Sequence, residues 1–268
     1  MSAPARIRVI VAVIALAAAA VVAGVVYATR QDPAQPKARC KNGVAAVFYT
    51  PSKNTATVRN ALSKGPRRAA RALEALADEH PKDPVVQFNY ATALYCGGFA
   101  NEALQAYRKA KADGRDTRYR VTVDNLLHPQ YITGGYPPFV YTGNDALLVQ
   151  GQIAQRNFHQ ETAERLWARA AEQHPDDPNA QVAAAVGRFD MDNLSASFSR
   201  LGPLVKRFPK SQTVRFHLGL LLAWTAQGKQ ARVELRLARD LGPTTAIGKT
   251  AARLLSGTGS SGTQSPKR

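Results

Sequence analysis

Residues 144–175 decide the fold, and they read NDALLVQGQIAQRNFHQETAERLWARAAEQHP. The stretch predicts one helical hairpin in which small residues recur at fixed steps. Ala163 lies twelve residues after Gly151, Ala170 follows seven residues later, and Pro175 another five. The same three steps recur at Gly219, Ala231, Ala238 and Pro243. The first two steps recur at Ala91, Ala103 and Ala110.

The steps belong to a longer period. Pro175, Pro209 and Pro243 are each 34 residues apart. Small residues are needed where helix backbones approach closely, because a larger side chain there would separate the helices. A proline after the second helix of a pair cannot continue it and marks the turn into the next pair. The sequence therefore predicts stacked helical hairpins of one repeated length.

This pattern resembles the tetratricopeptide repeat (TPR) family, whose unit is 34 residues long. The resemblance covers residues 50–255, and it implies an all-α, TPR-like α-solenoid of about five helical hairpins with a C-terminal capping helix. Bulky residues near the second alanine are expected to cover the helix seams, namely Tyr107, Trp167 and Leu235. Two hairpins depart from the family pattern: Leu73 and Leu76 stand for its aromatic residue and alanine in one, and Ser197 and Leu204 for both alanines in the other.

One N-terminal transmembrane helix is expected before the repeats. Residues 9–28 are uncharged and apolar, and about 20 such residues span the hydrocarbon core of a bilayer. A cleaved signal peptide is the alternative, although its apolar region normally runs only about 7–15 residues. Basic residues lie on both sides of the segment, but long domains translocate largely regardless of charge. We expect an uncleaved single-pass anchor with the C-terminal domain outside the cytoplasm.

The rest of the chain divides by composition. Residues 1–30 carry the anchor, 31–49 form a linker in which the apolar run 44–49 is strand or extended coil, and 256–268 are expected to be disordered. Between the second and third hairpins the 34-residue register slips, which places an insert at residues 117–142. Thr117 is expected to cap a short helix through Leu127, and residues 244–255 to form the capping helix.

The chain is basic, with 36 Lys and Arg against 19 Asp and Glu and a net charge of +17. These charges are spread along the sequence, so a solvated surface and attraction to an anionic lipid or polymer both remain open. No specific nucleic-acid partner is expected. Cys40 and Cys96 are the only cysteines; they are too few for a zinc site, and outside the cytoplasm they could form a disulfide.

The sequence predicts no enzyme, cofactor or metal site. It lacks a phosphate-binding loop, a His-Glu-x-x-His pair and a Gly-x-Ser-x-Gly elbow. His159 and His217 are predicted to lie in helices as surface or packing residues. In the insert, Asp124 and His128 are spaced four apart and could form a hydrogen-bonded pair, and the polar and aromatic insert residues that could contact a ligand are Asp124, Asn125, His128, Tyr131 and Tyr136.

A partner-binding groove follows from the resemblance, because in TPR proteins the first helix of each hairpin lines a concave face that holds peptides or partner helices. The positions that this places toward the groove are Phe88, Thr92, Tyr95, Leu148, Gln152, Gln155, Arg156, Val182, Val186, Phe189 and Phe216. Several of them could instead pack against the insert or the N-terminal segment. Their apolar and amide character suits a hydrophobic peptide or an internal segment better than a carboxylate terminus.

Three functional classes remain open from the sequence. The first is a membrane-tethered scaffold for protein–protein interactions, similar to the anchored TPR proteins of bacterial envelope assembly. The second is an electrostatic binder of an anionic polymer or lipid surface, which the excess of basic residues favours. The third, an enzyme centred on the insert, has the least support. Loss of binding with salt would separate the second class from the first.

Overall fold

The computed structural model describes Cys40, residues 43–128 and residues 136–257. Within these residues every regular element is a helix. They form two compact units: an N-terminal unit that contains the described residues up to 128 together with 154–162, and a C-terminal unit that contains residues 136–153 and 163–257.

The N-terminal unit is built from helices joined by short turns. Its complete helices are α1 (Thr55–Leu62), α2 (Pro66–Glu79), α3 (Pro84–Gly97), α4 (Ala100–Asp113) and α5 (Arg118–Leu127). The most extensive contacts are between α3 and α4 and between α2 and α3. The insert helix begins as predicted, because the Thr117 side chain accepts a hydrogen bond from the Tyr119 amide.

The C-terminal unit continues the hairpins. The helices that follow α5 are α6 (Ala146–Arg156), α7 (Gln160–Gln173), α8 (Pro178–Gly187), α9 (Leu194–Leu201), α10 (Leu204–Arg207), α11 (Gln212–Trp224), α12 (Gly228–Leu241) and α13 (Ala246–Gly257). The first residues of α7 and the last of α6 belong to the N-terminal unit. Helix α11 packs extensively on α12, and α13 packs on α12.

Repeated capping residues explain where the first helices of the hairpins begin. The side chains of Asp83, Asp177 and Ser211 each accept a hydrogen bond from a backbone amide of the following first turn. Asp177 and Ser211 are 34 residues apart. Two of these helices carry proline at their first position, where a backbone donor would be unpaired anyway.

The turns inside the hairpins share a backbone conformation. Gly98 turns from α3 into α4 with φ +95°, and two non-glycine residues also have positive φ: Phe158 at 66° and Ala226 at 61°. The left-handed region is unfavourable for residues with a Cβ atom. Each of these residues follows the small residue of its first helix (Ala91, Gly151 or Gly219) by seven positions. The repeat geometry therefore imposes the turn even where the sequence lacks glycine.

The predicted small-residue seams are present. A Cβ atom on Gly151 would lie 2.6 Å from Cδ1 of Trp167, and one on Gly219 would lie 2.8 Å from Cγ of Leu235. The predicted covering residues Tyr107, Trp167 and Leu235 are buried. So are the alanines of the repeated steps, namely Ala91, Ala103, Ala110, Ala163, Ala170, Ala231 and Ala238.

Two helices differ from their predicted extent. The second half of the hairpin after Pro178 is broken into α9 and α10 around Gly202 and Pro203, since proline lacks the amide that a continuous helix needs. The final helix, predicted over residues 244–255, runs from Ala246 to Gly257 and includes two residues of the predicted disordered tail.

The predicted anchor at residues 9–28 lies outside the described residues. Within residues 43–128 and 136–257, no helix has the length and apolar character needed to cross a bilayer. The anchor therefore stays a prediction from the sequence.

Candidate functional site: helices that hold extended segments

In the N-terminal unit, the apolar run at residues 44–49 forms neither helix nor strand. It lies as extended coil on the hydrophobic core, which it contacts through Val44, Val47, Phe48 and Tyr49. Extended backbone on a helical surface leaves its own donors and acceptors unpaired unless side chains reach them. The polar partners of this segment therefore identify what the surface recognises.

Asn89, in the middle of α3, binds the backbone of Val47 on both sides. The Val47 amide donates to Asn89 Oδ1 at 2.9 Å, and Asn89 Nδ2 donates to the Val47 carbonyl at 2.7 Å. A second N–H of the same amide donates to the Val85 carbonyl at 2.8 Å. Asn89 is fully buried, so its polar atoms depend on these partners. The side chain replaces the neighbouring strand that an extended residue would have in a sheet.

Tyr119 of α5 completes the backbone contacts. Its hydroxyl donates to the Val47 carbonyl at 3.0 Å and accepts from the Tyr49 amide at 3.1 Å. Burial raises the pKa of Tyr119 to about 12, so the hydroxyl keeps its proton for donation at ordinary pH. The rings of Tyr49 and Tyr119 lie 4.9 Å apart, and the guanidinium of Arg118 lies 5.1 Å from the Tyr49 ring.

A disulfide joins this segment to α3. Cys40 and Cys96 are bonded, with their Cα atoms 5.4 Å apart, which realises the pairing left open from the sequence. Cys96 lies seven residues, or about two turns, beyond Asn89 on the helix, and Cys40 lies seven residues before Val47 in the sequence. The chain is thus crosslinked to α3 just before the segment, at Cys40, and the segment itself is hydrogen-bonded to α3 at Val47.

The C-terminal unit holds a second extended segment, residues 136–142 of the insert. Gln152 Nε2 of α6 donates to the Phe139 carbonyl at 3.0 Å, and the Val140 amide donates to His217 Nε2 of α11 at 2.8 Å. The buried Phe139 ring lies 5.1 Å from the Trp167 ring and 5.2 Å from the His217 ring. Tyr136 is also buried and meets Phe189 edge to face at 5.9 Å.

The hydrogen bonds of His217 define its tautomer. Its Nδ1 lies 2.8 Å from the Thr213 carbonyl, which can only accept, so Nδ1 carries the proton and Nε2 accepts from Val140. Complete burial lowers the pKa of His217 to about 4. The neutral ring is therefore the form that holds the segment, because a protonated Nε2 would face the Val140 amide as a second donor.

We expect the stability of the C-terminal unit to fall as the pH is lowered from about 6.5 toward 4. Below pH 6.5 the unfolded chain binds a proton at His217 that the folded unit does not, so unfolding is favoured. The loss attributable to this residue is about 2 kcal/mol at pH 5. Denaturant unfolding at several pH values measures it.

Because carboxylates also titrate in this range, the control is His217→Asn, which keeps an acceptor but no titratable group. The difference in unfolding free energy between wild type and this variant should change between pH 7 and pH 5. A pH-independent difference would contradict the assigned protonation state.

The predicted groove residues have different environments. Gln152 contacts the segment directly, while Tyr95 and Gln155 are half-buried and Arg156 is exposed. The others are buried in the units and offer no free side chain to a ligand: Phe88, Thr92, Leu148, Val182, Val186, Phe189 and Phe216. Thr92, for example, lies 3.1 Å from the Tyr107 hydroxyl. Two of them contact the chain's own segments, because the Phe88 ring lies 6.5 Å from the Tyr49 ring and the Phe189 ring lies 5.9 Å from the Tyr136 ring.

The predicted insert residues divide similarly. Asp124 is buried against the ammonium of Lys111 at 2.5 Å, so its carboxylate serves an ion pair within the N-terminal unit. Asn125 and His128 are half-buried, and Tyr131 lies outside the described residues. Tyr136 packs as described above. His159 was predicted to be helical, but it lies in the turn before α7 with Nδ1 2.9 Å from the Asp116 carbonyl.

The sequence did not predict that Asn89, Tyr119 and His217 would hold a segment. A signal for two of them was present, because Asn89 and His217 both lie two residues before the small residue of a first helix. Each follows a fully buried phenylalanine, Phe88 or Phe216. A polar residue at the same position of two apolar helices indicates that both side chains hydrogen-bond to a buried partner.

No family model and no curated protein matches the chain. A solved structure of YrrB, described as a TPR protein with an unusual peptide-binding site, is similar at 14% identity. The match covers 75% of this chain and 89% of that chain, with a TM-score of 0.32. The repeat assignment rests on the recurring caps, turns and helix seams of this chain.

Proposed function

We propose that the protein is a scaffold for protein–protein interactions that binds extended peptide segments along the first helices of its hairpins. The observation that carries the proposal is the set of main-chain hydrogen bonds made by Asn89 to Val47 and by Gln152 and His217 to residues 139 and 140. Side chains that pair with backbone amides and carbonyls recognise an extended chain largely independently of its sequence.

We further propose that the scaffold is tethered to a membrane by residues 9–28 and faces an oxidising compartment outside the cytoplasm. The apolar length of these residues supports the tether. The Cys40–Cys96 bond supports the compartment, because structural disulfides persist where thiols are not kept reduced. A role in envelope assembly would follow from such a position, and the proposal includes no catalytic step.

A second candidate function is contact with an anionic lipid surface. Helix α12 exposes Val233, Leu237 and Leu241 at intervals of four residues, and the exposed Lys229 and Arg236 lie on the same helix. An apolar stripe beside basic residues is typical of helices that lie on anionic bilayers. Three partly exposed side chains form a small area, so the peptide scaffold is the better supported function.

The test is capture of partners by the full-length protein from its own membranes. The tagged chain is crosslinked in intact cells, solubilised in mild detergent and washed at low and at high salt. We expect specific proteins to be retained at high salt, because contacts made through uncharged segments are weakly screened. Mass spectrometry identifies them.

The matched control is the double variant Lys229→Glu and Arg236→Glu, which reverses charge on the exposed side of α12. It should capture the same proteins as the wild type. Capture that disappears in this variant, or at high salt, would favour the lipid or polymer function. Recovery of lipid with no specific protein would overturn the scaffold proposal.

A further inference from the structure

The two bound segments are similar in sequence. Val47-Phe48-Tyr49-Thr50 and Phe139-Val140-Tyr141-Thr142 each place two large apolar residues before Tyr-Thr. Neither segment contains a charged residue between 44 and 50 or between 136 and 143, although the chain carries a net charge of +17. Two separate units of one fold therefore hold the same kind of peptide.

In both units, side chains of the first helices of the hairpins bind the backbone of the segment, and we call this surface the inner face of the unit. The first residue of each motif, Val47 or Phe139, has its carbonyl bound by the N–H of a side-chain amide from Asn89 or Gln152. The amide of the first residue of one motif, Val47, donates to Asn89, and the amide of the second residue of the other, Val140, donates to His217. Asn89 and His217 occupy the same position relative to the small residue of their helices. This correspondence indicates a built binding site.

The two sites differ in how firmly the segment is held. In the N-terminal unit the segment is fastened by the Cys40–Cys96 bond. The segment at 136–142 has no such bond, because both cysteines of the chain are used elsewhere. Its attachment is noncovalent, through Gln152, His217 and the packing of Phe139. A competing segment therefore meets no covalent crosslink at the second site.

We propose that the inner face of the C-terminal unit binds, in trans, an extended uncharged partner segment with an aromatic and a β-branched residue before Tyr-Thr, by displacing residues 136–142. The proposal rests on the scaffold function and specifies its ligand. The partner's aromatic ring takes the place of Phe139 between Trp167 and His217, and its backbone takes over the hydrogen bonds from Gln152 and His217. Residues 136–142 act as an internal ligand that competes with the partner and so lowers the partner's apparent affinity.

The test uses a fluorescein-labelled peptide of residues 136–143, YPPFVYTG, and the full-length protein in detergent. In the Phe139→Ala variant the internal ligand loses its ring while the receptor side chains stay intact. We expect the peptide to bind this variant at least tenfold more tightly than the wild type, and to raise its melting temperature toward the wild-type value. A peptide with alanine in place of Phe139 should do neither.

If Phe139→Ala does not fold, Val140→Pro provides the receptor. Proline removes the amide that donates to His217, while extended backbone tolerates its φ angle. Circular dichroism establishes that the variant tested is helical. Equal affinity of the two peptides, or equal affinity of variant and wild type, would overturn the proposal.

Two further outcomes would also overturn it. Dimers of the variant, detected by light scattering, would assign the face to a second copy of the chain, and loss of peptide binding between low and high salt would assign it to an anionic ligand. Failure of the peptide measurement together with salt-resistant capture from membranes would remove this ligand chemistry and leave the scaffold function standing. Peptide binding as expected, together with no capture of proteins from membranes, would contradict the proposed scaffold function and leave the peptide site standing.

Discussion

Replacing Gly151 by leucine should lower the unfolding free energy of the C-terminal unit by about 3 kcal/mol or more. A Cβ atom at this position already meets the indole of Trp167 at 2.6 and 2.7 Å. The indole cannot move aside easily, because its Nε1 donates to the Leu148 carbonyl at 3.2 Å and its ring packs against Phe139. Overpacking must therefore push α6 and α7 apart. Chemical denaturation followed by circular dichroism measures the loss.

The control for Gly151→Leu is Gly228→Ala, since a Cβ on Gly228 has no atom within 4 Å. That substitution should leave stability unchanged within about 0.5 kcal/mol. Combining Gly151→Ala with Trp167→Phe should cost less than the sum of the two single changes, because the smaller ring makes room. A Gly151→Leu protein that melted like the wild type would disprove the proposed register of the repeats.

Removal of the Cys40–Cys96 bond should destabilise the N-terminal unit by about 4 kcal/mol in the chain-entropy model. The bond joins residues 56 apart in sequence, and its loss frees a large loop in the unfolded state. The segment at 44–49 would then be held by noncovalent contacts, among them those of Asn89 and Tyr119 and its apolar packing. Unfolding of the double variant Cys40→Ser, Cys96→Ser is compared with that of the oxidised wild type.

The control is the wild type treated with a reductant that is then removed. It should match the double variant while reduced and regain its original stability once reoxidised. Equal stability of oxidised and reduced protein would show that the bond adds nothing to the fold. The same thiols report compartment: after mild reduction of intact cells, a membrane-impermeant label should modify Cys40 and Cys96, and labelling only after lysis would place the domain in the cytoplasm.

Local sequence rules predicted most of the helical framework. Thr117 and the proline-led starts at Pro84 and Pro178 are local signals, because a cap or a proline acts on the backbone within one turn. The break at Gly202 and Pro203 also has a local cause, because proline lacks the amide that a continuous helix needs. The 34-residue period suggested a longer helix there. Where a local signal and the period disagreed, the local signal was correct.

The candidate site was predicted less well, for a physical reason. The family pattern selected positions by their place on the first helices, and it could not tell a residue that faces a ligand from one already covered by the chain itself. Phe88 and Phe216 were expected in a groove and are buried. Asn89 and His217, one residue further along, make the contacts instead.

The sequence by itself determined the repeated hairpins, because helix periodicity, small residues at seams and capping residues act over one or two turns. Only the tertiary structure decided what lies on the inner faces. Asn89 binds a residue 42 positions away, and His217 binds one 77 positions away. Such contacts depend on how the hairpins bring distant backbone together, and neither side chain signals its partner through local spacing.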